Sequence, residues 1–494
     1  MAKSFLNFIG GKWAPPASGL TFENRNPADQ RDLIGLFPDS GAEDVEEAVA
    51  AAEKSYDGWR LTPPPRRGEI ILKAGLLLQE SKEEFARLMT REMGKVLKET
   101  RGDIQEAIDM AFYVAGEGRR LFGQTTTSEL KEKFAMTIRM PIGVCGLITP
   151  WNFPMAIPSW KIFPALICGN ALVFKPAEDT PLSATKFVEI LNRAGLPAGV
   201  LNLVHGGPKT GQAIVCHPRI RLISFTGSCE VGREVAEVTG RMLKRCSLEM
   251  GGKNAQIVMA DADLDLAVEG AVWGAFGTTG QRCTATSRVY VEKKIFESFR
   301  RLMLGRAKKI RMGNGLKPGV EMGPLVNQGQ RERVHAYVKS GVEEGAELEC
   351  GGRIPKQAAF RRGTFYEPTI FTHTNPEMKI IREEIFGPVT CLIRIKDLEQ
   401  AIRLVNQTSY GLSSSIYSRD VNRAMKAIRD IEAGITYING PTIGAEVHLP
   451  FGGVKNTGNG HREAGETALD IFSEWKSVFI DYSGKLQKAQ IDVD

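Results

Sequence analysis

The segment from Phe276 to Arg288 contains a glycine-rich turn followed by a single cysteine, Cys283, among small and hydroxylated residues. In the preceding segment, 261–276, apolar residues recur at intervals of three and four positions, which predicts a helix that leads into the turn. Either Asp261 or Asp263 can supply the N-cap of that helix. The sequence therefore predicts a thiol held just after a helix and a tight turn, where a nucleophile can act.

A carboxylate, Glu249, lies upstream of this thiol in the segment Leu248–Asn254, next to two consecutive glycines. Glycines allow backbone or ligand to approach closely. A thiol and a carboxylate on separate glycine-rich loops suit covalent catalysis, because the thiolate can attack and the carboxylate can later activate water. The alternative interpretation is that Cys283 is an inert buried cysteine, as most cysteines are.

Two further segments have the placement expected of a site for a phosphorylated ligand. Phe225–Arg233 follows a predicted strand and opens a predicted helix, so a phosphate can rest on the helix amides while Gly227 permits close approach. Because this segment is not GxGxxG, a tight turn that needs glycine is an equal alternative. Lys175 and Glu178 end another predicted strand, where they can reach ribose hydroxyls or form a surface ion pair.

The elements around these residues predict an α/β fold. From residue 141 on, strand-like runs alternate with helical stretches, which is typical of a doubly wound parallel sheet. The runs are 141–149, 171–174, 200–204, 221–225 and 255–259. A second alternating region, 265–448, predicts a separate α/β domain. Residues 43–120 predict amphipathic helices, 121–140 an extended hairpin, and Trp475–Tyr482 a final strand.

Composition limits the class of protein. The chain has 494 residues, enough for two or three domains, and its 42% hydrophobic and 25% charged residues are those of an ordinary soluble protein. The net charge of +6 is spread along the chain, without a basic block that would indicate nucleic acid or membrane binding. The N-terminal segment lacks the apolar core of a signal peptide, and no apolar run of about 18 residues predicts a membrane span.

The eight cysteines and six histidines are scattered along the chain. The cysteines include no CxxC pair and the histidines no HExxH motif, so the sequence assigns no metal. In a chain of this length, isolated cysteines indicate reduced thiols rather than a disulfide framework, and therefore a cytoplasmic location.

Taken together, these segments resemble the aldehyde dehydrogenase superfamily. Seven motifs carry the resemblance, in the expected order along nearly the whole chain: Pro150–Pro154, Phe174–Glu178, Phe225–Ser228, Leu248–Lys253, Gly280–Cys283, Glu383–Pro388 and Pro450–Gly453. Two departures are local. The turn Gly458–Glu463 is one residue longer than usual, and Cys229 stands where threonine is common, in a loop whose backbone amides do the binding.

The resemblance implies an α/β fold with a doubly wound, parallel-sheet cofactor domain, an α/β catalytic domain and a small β hairpin for oligomerisation. The implied ranges are 1–120 and 142–250 for the NAD-binding domain, 251–448 for the catalytic domain, 121–141 and 474–494 for the oligomerisation arm, and 449–473 for a return segment. The arm implies a homodimer or a homotetramer joined by strand addition.

The resemblance also implies three catalytic residues. Cys283 attacks the aldehyde to form a thiohemiacetal, while the side-chain amide of Asn152 and the Cys283 backbone N–H hold the oxyanion, worth roughly 3–4 kcal/mol per donor. After hydride transfer to the nicotinamide a thioester remains, and Glu249 activates the water that hydrolyses it. Relatives that pass the acyl group to coenzyme A typically lack this acid, so its presence implies a free carboxylate as product.

The implied cofactor is NAD, with NADP as the alternative. Seven positions match residues that contact it in this family: Trp151, Lys175, Glu178, Gly227, Ser228, Glu384 and Phe386. Lys175 and Glu178 match positions at the adenosine ribose, and Glu384 matches the position at the nicotinamide ribose. A carboxylate at Glu178 accepts hydrogen bonds from ribose hydroxyls but repels a 2′-phosphate, which favours NAD.

The residues expected to meet the aldehyde substrate are Phe153, Arg282, Gly444 and Ala445. Arg282 precedes the nucleophile, and it either contacts the substrate or pairs with an acid behind the loop. The segment 439–446 looks like the loop of α-aminoadipic semialdehyde dehydrogenases in which a Gly-Ala pair grips the far carboxylate. Related enzymes acting on α-ketoglutaric semialdehyde carry a turn similar to 458–463. Both comparisons imply a short semialdehyde that bears a carboxylate.

Other functions remain as alternatives. A cofactor-free thiol hydrolase would use the same thioester chemistry, although Phe174–Glu178 and Phe225–Ser228 argue against it. An inactive scaffold with a binding role is disfavoured by the intact Cys283, Glu249 and Asn152. A broad-specificity aldehyde scavenger and an NADP-preferring semialdehyde dehydrogenase are the alternatives for substrate and cofactor.

Overall fold

The computed structural model describes residues 3–491. Two seven-stranded sheets form the centres of two halves of the molecule, and helices pack on both faces of each sheet. The predicted α/β fold is confirmed.

The N-terminal part consists of short strands, four long helices and a hairpin. Its elements are β1 (Asn7–Ile9), β2 (Lys12–Ala14), β3 (Thr21–Arg25), β4 (Leu33–Pro38), α1 (Ala42–Leu61), α2 (Pro64–Glu80), α3 (Lys82–Met93), α4 (Leu97–Glu117), β5 (Thr125–Thr127) and β6 (Lys133–Pro141). The helices predicted over 43–120 are confirmed. Helix α2 begins at Pro64 because proline suits the first turn of a helix, where its missing N–H costs nothing.

The first large sheet alternates strands with helices, as predicted. Its elements continue with β7 (Val144–Ile148), α5 (Ala156–Ile167), β8 (Ala171–Lys175), α6 (Pro181–Ala194), β9 (Leu201–Leu203), α7 (Pro208–Cys216), β10 (Leu222–Thr226), α8 (Cys229–Arg241) and β11 (Arg245–Glu249). The strand order is β11-β10-β7-β8-β9-β1-β2. The five strands from β11 to β9 are parallel, and β1 joins β9 in the antiparallel direction.

One strand of this series was assigned to the wrong sheet. The run predicted at 255–259 pairs with strands of the second sheet, and the fifth parallel strand of the first sheet is β11 instead. Strand β11 lacks an apolar signature because it lies at the edge of its sheet and begins with Arg245, which is only partly buried. It matters for function, since its last residue is Glu249.

The strand order reverses at β7. The chain passes from β7 outward to β8 and β9, and then crosses back to place β10 and β11 on the other side of β7. The crossover opens a crevice outside the carboxyl ends of β7 and β10, which is where open α/β sheets bind their ligands. The loops that follow β7 and β10 carry Trp151 and Gly227, two of the predicted cofactor residues.

Side chains of the central strands alternate between two apolar layers. Leu147 and Phe174 pack with helices α2, α4 and α5 on one face, while Val144 and Val173 pack with α1 and α7 on the other. Phe174 is fully buried, and burial of such a side chain stabilises the fold by about 1.5–3 kcal/mol. The sheet edge that carries the loops is therefore held on a rigid base.

The second half of the chain forms the second sheet. Its elements are β12 (Asn254–Val258), α9 (Leu264–Phe276), β13 (Thr286–Glu292), α10 (Phe296–Ala307), α11 (Gln328–Glu343), β14 (Glu347–Cys350), β15 (Thr369–Thr372), α12 (Lys379–Arg382), β16 (Val389–Ile395), α13 (Leu398–Asn406), β17 (Tyr410–Gly411), β18 (Ser413–Tyr417), α14 (Val421–Asp430) and β19 (Ile435–Ile438). The strand order is β14-β15-β16-β13-β12-β18-β19. Helix α9 is the helix predicted before the cysteine, and Asp263 is its N-cap, accepting from the Leu266 N–H at 3.0 Å.

The chain ends with β20 (Val454–Lys455), α15 (Thr467–Ile471) and β21 (Ser473–Asp481). Strand β21 pairs antiparallel with β6 along nine residues, and β5 lies on the other side of β6. The hairpin predicted over 121–140 and the predicted final strand are thus present. The arm exposes several large apolar side chains: Phe134, Ile138, Trp475, Phe479 and Ile480.

A fully buried ion pair joins α4 to the segment before α5. Lys95 Nζ donates to Asp103 at 2.8 Å, and the other oxygen of Asp103 accepts from the Ala156 N–H, also at 2.8 Å. Lys95 Nζ also lies 3.5 Å from the centre of the Phe153 ring. These contacts fix the loop after β7 against α4 before any ligand binds.

Within residues 3–491, no helix combines the length and the apolar character that a membrane crossing requires. Over the same residues, no group of three or more His, Cys, Asp or Glu side chains is arranged to hold a metal ion.

Candidate active site

Two cavities meet at Cys283, between the two sheets. The first, which we call the sheet-edge cavity, contains about 760 Å³ of empty space, part of it open to solvent, and is lined by Trp151, Asn152, Gly227, Ser228, Glu384 and Phe386, among others. The second, which we call the acid-lined cavity, contains about 630 Å³ of empty space, part of it open to solvent, and is lined by Glu106, Phe153, Glu249, Arg282, Gly444, Ala445 and Glu463, among others. Cys283 lines both cavities. A ligand in either cavity therefore reaches the thiol.

The turn before Cys283 has an unusual backbone. Thr278 and Thr279 adopt left-handed conformations, with φ of 52° and 58°, and Gly280 follows at 67°. A left-handed backbone is unfavourable for threonine, so contacts with the surrounding residues must stabilise this conformation. The buried carboxylate of Glu99 does so, because it accepts from the Thr278 N–H at 2.7 Å. The turn is therefore pre-formed by a contact with α4.

The loop that follows Glu249 touches the nucleophile's own backbone. A Cβ atom on Gly252 would lie 2.5 Å from the carbonyl oxygen of Cys283, which only glycine avoids. Asn254 lies two residues further, and its side-chain amide donates to the same carbonyl at 2.7 Å and to that of Ala285 at 3.0 Å. The sequence analysis gave Asn254 no role. The structure shows that it fastens the loop of Cys283 to strand β12.

Burial raises the pKa of the half-buried Cys283 thiol to about 12, and the nearby carboxyl groups of Glu384 and Glu249 add to the effect. The free enzyme therefore holds a neutral thiol at pH 7. Its proton must leave before the sulfur can attack, because the thiolate is the nucleophile.

Asn152 is buried beside the nucleophile loop, where its side-chain amide donates to the carbonyl oxygen of Gln281 at 3.1 Å. An amide NH₂ carries two donors, so one N–H stays free to meet an oxygen in the sheet-edge cavity. The position agrees with the oxyanion role that the resemblance implies.

Glu249 ends β11 with both carboxyl oxygens buried and without a hydrogen-bond partner among the described residues. Burial, reinforced by the nearby Glu463, raises the pKa of the Glu249 carboxyl well above its usual value. Unsatisfied buried carboxyl groups are rare and mark functional sites. Behind it, Glu463 contacts Lys161, and Lys161 donates to Ser224 at 2.9 Å. This buried chain of polar groups was missed by the sequence analysis because its members are far apart in sequence.

The residue that lengthens the turn 458–463 has a structural role. The side-chain oxygen of Asn459 accepts from the Leu248 N–H at 3.0 Å, and its amide donates to the carbonyl of Cys246 at 2.8 Å. Asn459 thus satisfies the free edge of β11, directly before Glu249. The longer turn therefore holds the strand that carries the acid.

The sheet-edge cavity fits a dinucleotide. Ser228 is the N-cap of α8, so the first amides of that helix point towards the cavity, where they can hold a phosphate. The Trp151 and Phe386 rings pack edge to face, 5.3 Å between centres. Glu384 accepts from the Gly252 N–H at 3.0 Å, and burial raises the pKa of its carboxyl to about 7. Aromatic walls, helix amides and a carboxyl suit the apolar ring, the phosphates and the ribose of a nicotinamide dinucleotide.

Lys175 and Glu178 lie outside the lining of the sheet-edge cavity, at the carboxyl end of β8, the neighbour of β7. Lys175 Nζ is buried, donates to the carbonyls of Pro176 and Gly206 at 2.8 and 2.7 Å, and lies 3.7 Å from the half-exposed Glu178 carboxylate. Both side chains share the sheet edge with Gly227 and Ser228. Their contact with a ribose stays a prediction.

The acid-lined cavity brings together all four predicted substrate residues. Arg282 faces it and also pairs with an acid behind the loop, since its guanidinium lies 3.4 Å from Glu99 and donates to Thr278 at 2.8 Å. The predicted pairing of Arg282 with an acid behind the loop is therefore confirmed, while substrate contact by Arg282 stays a prediction. Gly444 accepts a hydrogen bond from Tyr437. Glu106, on α4, lines the same cavity and was missed because its sequence context is that of an ordinary amphipathic helix.

The fold and the paired cavities define a nicotinamide-dependent oxidoreductase with a cysteine at its centre. The sequence profile of the aldehyde dehydrogenase family matches residues 13–478. The chain belongs to the aldehyde dehydrogenase family. It is an oxidoreductase that acts on aldehydes with NAD(P) as its cofactor.

Relatives and solved structures agree with this assignment. The chain is 42% identical to alpha-ketoglutaric semialdehyde dehydrogenase of Bacillus subtilis over 478 residues, which cover 97% of this chain and 98% of the relative. It is 42% identical to 2,5-dioxopentanoate dehydrogenase of Saccharolobus solfataricus over 475 residues, covering 95% and 98%. A crystal structure of Staphylococcus aureus betaine aldehyde dehydrogenase with NAD+ superposes with a TM-score of 0.96 at 32% identity, covering 98% and 96%.

The contact between Gly252 and the carbonyl of Cys283 predicts the effect of a single methyl group. Gly252→Ala must push the two loops apart, so we expect it to lose about 1–3 kcal/mol of stability and about 100-fold in aldehyde oxidation. Thermal unfolding and NADH formation measure the two effects.

Gly240→Ala is the matched control, because a Cβ at that helical position meets nothing within 4 Å. We expect it to keep activity and to gain about 0.5–1 kcal/mol. A Gly252→Ala protein with normal activity would show that the loops do not need this close approach.

Proposed function

We propose that this enzyme oxidises a short, carboxylate-bearing semialdehyde to a dicarboxylate, with NAD as oxidant and a thioester on Cys283 as intermediate. The observation that carries the substrate class is the guanidinium of Arg282 in the cavity that contains Cys283. The names of two relatives, an alpha-ketoglutaric semialdehyde dehydrogenase and a 2,5-dioxopentanoate dehydrogenase, support the same class.

In the first step, the Cys283 thiol loses its proton to solvent, and the thiolate adds to the aldehyde carbon and forms a thiohemiacetal. The negative charge that develops on oxygen meets the free N–H of Asn152 and the backbone N–H of Cys283. Donors fixed before the reaction stabilise this charge without reorganisation, by roughly 3–4 kcal/mol each. The contacts of the loop with Glu99 and Asn254 keep the sulfur in place during attack.

The nicotinamide ring, when bound in the sheet-edge cavity, supplies the acceptor for the hydride. Glu384 and Phe386 line that cavity next to Cys283 and would hold the ribose and ring. Trp151, Gly227 and Ser228 would hold the pyrophosphate and adenine side, with Lys175 and Glu178 at the adenosine ribose. The substrate stays in the acid-lined cavity, with Phe153 against its chain.

In the last step, Glu249 takes a proton from water, and the resulting hydroxide equivalent cleaves the thioester. A raised pKa suits this role, because a carboxylate whose pKa burial has raised is a stronger base than an ordinary one. Glu463 and Lys161 form a buried pair behind Glu249, and the nearby Glu463 contributes to its raised pKa. The product is the free acid.

The two chemical steps predict different outcomes for two variants. Cys283→Ala should form no NADH, because no covalent intermediate can form. Glu249→Gln should give a rapid burst of about one NADH per active site and then slow turnover, since acylation survives while hydrolysis stalls. Stopped-flow absorbance separates the two phases. A Glu249→Gln enzyme with the full steady-state rate would remove Glu249 from this role.

The half-exposed carboxylate of Glu178 predicts preference for NAD over NADP. The 2′-phosphate of NADP would lie near this carboxylate and be repelled by it. Removing the negative charge of Glu178 should weaken that repulsion. We expect kcat/KM to be higher with NAD, and Glu178→Ser to narrow the difference. Equal efficiency of the unaltered enzyme with both cofactors would contradict the prediction.

The position of Arg282 predicts selectivity for acidic substrates. A guanidinium–carboxylate contact in a cavity contributes roughly 1.5–3 kcal/mol, or about tenfold to a hundredfold in kcat/KM. We expect 2,5-dioxopentanoate to outperform pentanal, Arg282→Met to erase the difference, and Arg282→Lys to keep part of it. If pentanal or benzaldehyde is oxidised faster than every acidic semialdehyde, the enzyme is a general aldehyde scavenger and Arg282 serves only its pair with Glu99.

The assembly and location are part of the proposal. The exposed apolar side chains of the arm formed by β5, β6 and β21 suit contact with a second copy, so we propose a homodimer or homotetramer. All eight cysteines are unpaired, which supports a reducing compartment such as the cytoplasm.

A further inference from the structure

Glu106 is an unassigned carboxyl group in the acid-lined cavity. It is half-buried on α4 and lines the cavity together with Arg282 and Cys283. Its side chain makes no hydrogen bond or ion pair with any other residue in the range 3–491. A half-buried carboxyl group that faces a cavity without a partner is one that a ligand can satisfy.

The other acids on the same helix all have partners. Glu99 accepts from Thr278 and pairs with Arg282, and Asp103 pairs with Lys95. Asp109 accepts from Gln105 at 2.8 Å, and Glu117 pairs with Arg120. Each of these contacts uses the carboxylate within the protein. Glu106 differs from them, since its carboxyl group is left for the contents of the cavity.

Burial holds the Glu106 carboxyl mainly in the neutral form. Burial raises the pKa of its carboxyl to about 8, Asp103 and Asp109 add to the increase, and Lys95 and Arg282 oppose it. Three other titratable groups line the cavity: Cys283, Glu249 and Glu463. Tyr437 approaches Glu106 from outside the lining and also lies near Glu446. At pH 7 the side chain is therefore mostly an acid with one O–H donor.

We propose that Glu106, in its protonated form, donates a hydrogen bond to an oxygen at the far end of the substrate, beside the guanidinium of Arg282. This inference rests on the proposed function, and it names a second specificity residue. The oxygen belongs to the carboxylate or to the neighbouring oxo group of a 2-oxo acid. Glu106 thus adds a donor without adding a negative charge to a cavity that already contains several acids.

The sign of the pH dependence follows. Below pH 8 the acid is neutral and donates, while above it the carboxylate loses its donor and repels the anionic substrate. The substrate's own carboxylate has a pKa near 4 and stays ionised throughout. Acidic semialdehydes should therefore lose efficiency as pH rises through 8, whereas uncharged aldehydes should not.

The experiment compares kcat/KM for 2,5-dioxopentanoate and for pentanal at several pH values around 8. The quantity of interest is kcat/KM for 2,5-dioxopentanoate divided by kcat/KM for pentanal. Steps common to both substrates, such as ionisation of Cys283, cancel in this ratio. From about pH 7 to about pH 9 the protonated fraction falls about tenfold, so the ratio should fall about tenfold. In Glu106→Gln, which keeps a donor and never ionises, the ratio should be independent of pH.

Asp109→Asn is the matched control, because it removes an acid from the same helix outside the cavity. Its ratio should still fall with pH. A ratio that is above one but constant with pH in the unaltered enzyme overturns the role of Glu106 and leaves the proposed function standing. A ratio that never exceeds one overturns both. A Glu106→Gln protein that keeps the pH-dependent fall also overturns the role of Glu106, since another group must then titrate.

Discussion

The contact between the Gly251–Gly252 turn and the carbonyl group of Cys283 connects every part of this site. The turn joins the last strand of one sheet to the first strand of the other, so it fixes how the sheets meet. Glu249 lies immediately before it, the N–H of Gly252 holds Glu384, and Asn254 fastens the nucleophile loop from the other side. A larger residue at Gly252 would separate the thiol from both carboxyl groups at once.

Burial of charge gives these groups their chemistry. Desolvation raises the pKa of Cys283, Glu249 and Glu384, so burial favours the protonated form of each group in the free enzyme. The neighbouring pair of Lys161 and Glu463 is held together because each charge would be costly alone. The site is therefore an assembly of buried titratable groups with shifted pKa values, which is typical of a catalytic centre.

Part of this arrangement could be predicted from the sequence. The helix before Cys283, its N-cap as one of two aspartates, and the loop after β10 could be predicted because their signals are local: apolar periodicity, a capping residue and a strand followed by glycine. Strand β11 was missed because it lies at a sheet edge and lacks an apolar run. The residues implied by the resemblance line the two cavities, except Lys175 and Glu178, which lie at the neighbouring strand end.

Contacts between distant segments could not be predicted. The pair of Arg282 with Glu99 and the free carboxyl of Glu106 depend on how α4 packs against the nucleophile loop. The chain from Glu463 to Ser224 depends on how α5 packs between β10 and the turn 458–463. Their residues carry no pattern in sequence, since a polar residue that is buried by a distant segment looks like any other polar residue. Only the three-dimensional arrangement separates Glu99, which holds the loop, from Glu106, which faces the cavity.

The claim on which this account depends is that an acyl group is carried on Cys283 and released through Glu249. The most direct measurement is the mass of acid-quenched Glu249→Gln protein after mixing with NAD and 2,5-dioxopentanoate. The account predicts that the peptide containing Cys283 gains the mass of the acyl group, and that unaltered enzyme accumulates much less of it. NADH formation by the variant with an unmodified Cys283 would contradict the account.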